Sequence, residues 1–150
     1  MNNTLFRGNI MQYKIFNTLP QEAIEIRTAV FIEEQGFQQE FDDIDNNAYH
    51  LIIYENNRPI ANGRLYKDNT KENAYIIGRL AVIKTYRNKH LGAKLMMLLE
   101  AQSKKLHANK ISLSAQCQAQ NFYEKLGYTP QGEIYLDEHC PHIHMEKTIK

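Results

Sequence analysis

The chain has 150 residues, 43% hydrophobic and 23% charged, with 18 Lys and Arg against 17 Asp and Glu for a formal net charge of +1. Such a length suits one domain that buries close to 70% of its unfolded surface, so folding needs no disulfide or metal staple. The near-neutral balance argues against a dedicated nucleic-acid partner, no apolar run approaches the ~20 residues of a membrane span, and the start lacks a signal-peptide pattern.

In chain order, residues 1–10 are polar and patternless and read as a mobile tail, with Met11 as an alternative start. Residues 11–150 then read as a single domain. Tyr13 to Phe16 forms a short strand. Thr18 suits an N-cap, followed by Pro20 and Glu22 at a helix start, and Ala23, Ile26, Val30 and Phe31 keep helical spacing to about Glu34. Gly36 breaks that pattern, and Phe37 to Asn47 is an acidic, amide-rich loop with room for a short helical turn. Tyr49 to Tyr54, Ile60 to Tyr66 and Ala74 to Ile83 read as antiparallel strands joined by polar turns. Leu91, Leu95, Leu98, Leu99, Gln102 and Leu106 mark a long amphipathic helix. Lys110 to Ala115 is a strand, Ala119 to Leu126 a short helix capped by Gly127, and Thr129 to Leu136 and His142 to Lys147 are two final strands. A strand–helix–strand crossover from Ala74 to Ala115 requires one parallel pair. The expectation is an α/β fold: a mixed, mostly antiparallel sheet flanked by helices on both faces.

The segment Leu80-Ala81-Val82-Ile83-Lys84-Thr85-Tyr86-Arg87-Asn88-Lys89-His90-Leu91-Gly92-Ala93 carries the chemistry. An apolar strand enters a basic turn that opens directly into a helix. The first amides of a helix lack intrahelical acceptors and sit at the positive end of its dipole, so they suit a phosphate or diphosphate. Gly92 removes a Cβ, and Arg87 and Lys89 add charge. The Walker loop and the G-x-G-x-x-G fingerprint are both absent, which argues against a P-loop or an NAD or FAD site. A solvated basic turn before a core helix remains the bland alternative.

Arg87-Asn88-Lys89-His90-Leu91-Gly92 resembles the R/Q-x-x-G-x-G/A acetyl-CoA signature of the GNAT N-acetyltransferases. Asn121-Phe122-Tyr123-Glu124-Lys125-Leu126-Gly127-Tyr128 resembles that family's second hallmark in shortened form, and the element order matches along nearly the whole chain. Val30-Phe31-Ile32-Glu33-Glu34-Gln35 and Pro141-His142-Ile143-His144-Met145 look like the ElaA-like branch. One departure is plain: the first signature glycine is His90 here, and a position needing φ > 0 tolerates His at some cost.

The resemblance implies acetyl transfer from acetyl-CoA to a primary amine of a small molecule or peptide, by direct attack and without a metal. It implies that Leu80, Ala81 and Val82 offer main-chain groups to the pantetheine and thioester, and that Arg87, Asn88, Lys89, His90, Leu91, Gly92 and Ala93 hold the diphosphate. Tyr123 aligns with the family tyrosine that protonates the leaving sulfur, and Asn121 with a polar cofactor contact. The strand glutamate that serves many members as base is replaced by Gly78 and Arg79, so Glu34, Asp42, Asp45, His142 or a water held by them are the candidates. The acidic stretch Glu33, Glu34, Glu40, Asp42, Asp43 and Asp45 either attracts a cationic amine or is a solvated loop. Arg79 either recognises a substrate carboxylate or pairs with a nearby acid. Cys140, His142 and His144 share a strand face beside His139, a pattern that alternation explains without zinc, and Cys117 reads as a small hydrophobe rather than an acyl carrier. With only two cysteines, a reducing cytoplasm is the expected compartment. The superfamily often forms homodimers, so a second copy is an expected partner, whereas nucleic acid and membrane are not. A non-catalytic acyl-CoA sensor on the same fold and a nucleotide- or nucleic-acid-binding domain are the rival readings.

Overall fold

The structure is a computed structural model that describes residues 2–6 and 9–150, with side chains from residue 10 onward. Among the described residues, eight strands form one sheet in the order β1-β2-β3-β4-β5-β6-β8-β7. They are β1 (Asn2–Phe6), β2 (Asn9–Phe16), β3 (Tyr49–Glu55), β4 (Arg58–Lys67), β5 (Ala74–Val82), β6 (Lys110–Gln116), β7 (Thr129–Asp137) and β8 (Cys140–Thr148). Every pairing is antiparallel except β5 with β6, which α2 (Leu91–Lys105) bridges as the crossover helix. The expected mixed sheet with one parallel pair is what forms.

Period-two alternation in the strands explains the layers. Leu51 and Ile53 of β3 face α2, joining Leu91, Leu95 and Leu99 in one core. Ile52 and Tyr54 face the other way, against Ala23, Ile26, Val30 and Phe31 of the N-terminal helical segment. Each Leu, Ile, Val or Phe among them, fully buried, contributes roughly 1.5–3 kcal/mol. The short α3 (Gln120–Lys125) and its C-cap Leu126 lay Phe122, Tyr123 and the Leu126 side chain against the α2 core.

Three local features differ from the sequence reading. Where a tail without regular structure was expected, the backbone of Asn2–Phe6 pairs antiparallel with β2; Met1, Arg7 and Gly8 lie outside the described residues. α1 (Gln21–Arg27) starts at Pro20 rather than Thr18, because Pro20 is extended (φ −84°, ψ 159°) and its carbonyl accepts from Ala23 and Ile24. The same helix then widens into a π-helical stretch, Thr28–Glu34. Gly36, at φ +77°, ends it in a conformation that favours glycine.

The feature that creates a site is a divergence of strands. β5 pairs with β6 only from Ala74↔Lys110 to Ile77↔Leu113, while β6 continues to pair with β8 as far as Gln116↔His142. Beyond Ile77 the facing edges of β5 and β6 are unpaired. At the same place the β4–β5 register shifts between Asn62 and Arg64, with Arg79 at φ +53°. The Arg79 carbonyl is held there by the Asn62 side-chain amide at 2.9 Å.

Candidate active site

The turn between β5 and α2 is built to present amides. A 3₁₀ turn over Lys84–Tyr86 leads to Arg87 in an extended conformation, then to Asn88 at φ +64° and His90 at φ +60°, with Lys89 between them not left-handed. Alternation of backbone hand turns successive N–H groups to one side, the geometry of an anion-binding nest. Among the described residues, the N–H groups of residues 88–93 have no acceptor; the first helical bond runs from Lys94 to the His90 carbonyl at 3.1 Å. His90 thus adopts the left-handed conformation that the signature glycine would supply. Gly92 also serves packing. A Cβ there would sit 3.2 Å from Cζ of Phe122, so its absence lets α3 pack against the start of α2.

The basic side chains of the turn are also engaged. Arg87 donates through Nε to the Val82 carbonyl at 3.0 Å and through both Nη atoms to Glu34, each at 2.6 Å. Lys89 carries its ammonium 5.0 Å from the centre of the Tyr86 ring. Asn88 and Asn121 are exposed.

The divergent strands enclose a cleft of about 220 Å³. Leu80 of β5, Leu113 of β6, Phe31, Phe37, Tyr123 and His142 are among its walls. Ile83 donates its N–H to Ile60 of β4, so alternation turns the main-chain groups of Val82 to the open edge of β5. There the Val82 carbonyl is taken by Arg87, leaving its N–H. Ala81 pairs with Asn62 on the β4 side, so its main-chain groups face β4 rather than the open edge, and its buried side chain packs on the face that carries Ala23 and Ile26.

Tyr123 is half-buried between Phe122 and Tyr128, its ring centroid 5.0 and 6.2 Å from theirs. Burial pushes its phenol up to about 12. Its hydroxyl has no hydrogen-bond partner among the described residues. His142 is 6% exposed, and its Nδ1 lies 2.9 Å from the Cys140 carbonyl. A carbonyl only accepts, so Nδ1 carries the proton and Nε2 of the neutral ring keeps a lone pair. Tyr135 stacks on the imidazole at 6.1 Å.

The other base candidates are committed elsewhere. The hydrogen bonds from Arg87 hold the Glu34 carboxyl below its usual range, and Glu34 is outside the cleft walls. Asp42 and Asp45 belong to a largely buried network with Glu40 and three arginines. Arg27 donates to Glu40 and Asp45 at 2.8 Å each, Arg64 to Asp42 and Asp45 at 2.8 and 3.0 Å, and Arg79 to Glu40 at 2.9 Å. Three positive charges face three negative ones, so Glu40, Asp42 and Asp45 are balanced within the network, and Arg79 pairs with nearby acids. Burial pushes the Asp45 carboxyl up, but Arg27 and Arg64 outweigh it and bring the group to about 2. No group of three or more His, Cys, Asp or Glu placed to hold a metal ion occurs among the described residues.

Two contacts that shape the cleft left no trace in the sequence. Gln116 at the end of β6 donates to Gln35 at 2.8 Å, joining the strand to the end of the π-helical stretch. Glu138, in the β7–β8 turn, accepts from the backbone N–H groups of Gln38 and Gln39 at 2.9 Å each, with the His139 ring tilted against Phe37 at 5.0 Å. These partners lie 81 to 100 residues apart, beyond the reach of any spacing rule.

Residues 15–149 match the acetyltransferase (GNAT) domain family. The uncharacterized N-acetyltransferase YjcF of Bacillus subtilis is 32% identical, over 85% of this chain and 91% of YjcF. Protein ElaA of Escherichia coli is 30% identical over 84% of this chain and 85% of its own. Its crystal structure superposes with a TM-score of 0.82, at 26% identity over 91% of this chain and 99% of that one. An acyl-CoA N-acyltransferase from Pseudomonas aeruginosa gives 0.81 at the same identity, over 91% and 99%. The nest, the strand divergence and these likenesses agree: the chain belongs to the GNAT acetyltransferases, in their ElaA-like branch, whose general chemistry is acyl-CoA-dependent acetyl transfer.

Proposed function

We propose that this protein transfers an acetyl group from acetyl-CoA to a primary amine of a small molecule or peptide in the cytoplasm, by direct attack and without an acyl-enzyme stage. The observation that carries the reading is the row of unpartnered amides at residues 88–93 beside a cleft walled by Tyr123 and His142. Those amides fit a diphosphate in number and polarity, and the unpaired edge of β5 at Leu80 and Val82 fits an amide-bearing arm. Acetyl-CoA supplies the activated thioester. Arg87 sets the outer edge of the turn, held in place by Glu34.

Within the cleft His142 Nε2 takes the proton of the attacking amine. Tyr123 hydrogen-bonds the sulfur as negative charge grows there. With its phenol near 12, full transfer to a thiolate of ordinary pKa about 8.5 is uphill. Tyr123 therefore stabilises the leaving sulfur as a donor, and the proton on His142 is the one that neutralises it. Turnover of acetyl-CoA, followed as thiol release with a panel of primary amines, tests the reading. Tight acetyl-CoA binding without thiol release for any amine would turn the assignment to a sensor. We also propose a homodimer formed through β7, an outer strand with Ile134 and Leu136 exposed by 62% and 69%.

A further inference from the structure

A second cavity, also about 220 Å³, lies between α2 and the N-terminal half of the sheet. Its floor is β2, β3 and β4 through Met11, Tyr13, Ile53 and Ile60, and its roof is α2 through Leu91, Lys94 and Leu98. The roof holds an anomaly. Leu91, Lys94 and Leu98 stand at i, i+3 and i+7, so they share one helix face. That face covers apolar strands, and its middle position carries an ammonium.

Lys94 is half-buried and has no carboxylate partner among the described residues. Other lysines of similar exposure are paired: Lys110 with Glu146 at 2.9 Å and Lys147 with Glu100 at 3.0 Å. Glu55, on the same cavity wall, has an interaction of its own. A lysine stem can lie along apolar surface while its head seeks water. In a concave apolar cavity, however, an unpaired charge is costly, and an anion brought with its own apolar body removes that cost.

We propose that this cavity binds a small amphipathic carboxylate, with its apolar tail on Met11, Ile53 and Ile60 and its head group on Lys94. Lys89, at the cavity rim over the Tyr86 ring, adds positive potential without being the contact.

Calorimetric titration of the full chain with octanoate and with octylammonium tests this. Octanoate should bind at least about tenfold more tightly than octylammonium, and should still bind when acetyl-CoA is saturating. Lys94→Met keeps the apolar roof and removes the charge. Its octanoate affinity should fall at least about tenfold, with thermal stability not reduced and acetyl-CoA affinity unchanged. Leu98→Phe, which narrows the cavity and leaves the charge, should also weaken octanoate and serves if Lys94→Met fails to fold. No octanoate binding to the folded chain, equal affinity in both variants and the parent, or displacement of octanoate by acetyl-CoA would each overturn the proposal.

Discussion

Burial between two aromatic rings keeps the Tyr123 hydroxyl protonated throughout the neutral range, so its role as a hydrogen-bond donor does not switch with pH. Removing the oxygen alone should therefore affect the chemical step and spare binding. Tyr123→Phe is expected to lower kcat by roughly 10²-fold or more, with the acetyl-CoA Kd unchanged by calorimetry; a matching loss of affinity would assign the residue to binding. Glu34 offers the contrasting case. Its carboxylate is bound by both Nη atoms of Arg87 at 2.6 Å, so it holds a cation in place and is poorly suited to take a proton. Glu34→Gln should leave kcat within a few-fold of the parent, whereas His142→Gln should lower it by roughly 10²-fold or more. A comparable loss of kcat in Glu34→Gln, with acetyl-CoA affinity retained, would return the base role to Glu34.

At the scale of elements, the β5–turn–α2 unit was legible because its signals are local. An apolar strand, a basic turn and an i, i+3, i+4 helix pattern stand side by side in sequence, and the left-handed requirement at His90 follows from the glycine the motif would have there. The helix is capped at Pro20 and not at Thr18 because a capping side chain and an extended proline compete within three residues, and here the proline carbonyl takes the first amides. β1 had no alternating pattern to betray it; its pairing is a property of the neighbouring β2 edge. The acidic loop was legible in composition and not in state, since its partners Arg27, Arg64 and Arg79 come from α1, β4 and β5. The turn carries a test of its own. A non-glycine residue in the left-handed region costs about 1 kcal/mol, so His90→Gly should raise Tm by about 2–4 °C with acetyl-CoA affinity retained. A lower Tm would mean that the imidazole itself supports the turn.

Across the whole molecule, β7 forms one edge of the sheet. β7 is exposed along its length and carries Ile134 and Leu136, an edge of the kind proteins usually blunt or cover. If a second copy covers it, Leu136→Lys should shift the sedimentation of the purified chain from dimer to monomer. An unchanged dimer would place the interface elsewhere.

The other molecule-wide device is the ionic network, which fastens the loop over residues 37–47 to α1, β4 and β5 and so fixes one wall of the cleft. Asp45 contacts both Arg27 and Arg64. Its carboxyl lies at about 2 in the folded chain against an ordinary 3.8. The folded form therefore binds its proton later than the unfolded form, which stabilises the fold by about 2 kcal/mol above pH ~4. That stabilisation fades as pH falls from near 4 towards 2. Glu40 works in the opposite sense and in a higher window: burial holds its carboxyl above the usual range despite its arginine partners, so the folded form takes up that proton before the unfolded form and the fold gains stability as pH falls towards 4.5. Thermal melts at successive pH values should then rise slightly on approach to about 4 and fall steeply below. Asp45→Asn leaves two buried guanidinium groups short of a partner, so it should cost about 3–5 kcal/mol at neutral pH and show a shallower fall in acid. A parent and a variant with equal acid slopes would show that Asp45 does not set the acid limit of this fold.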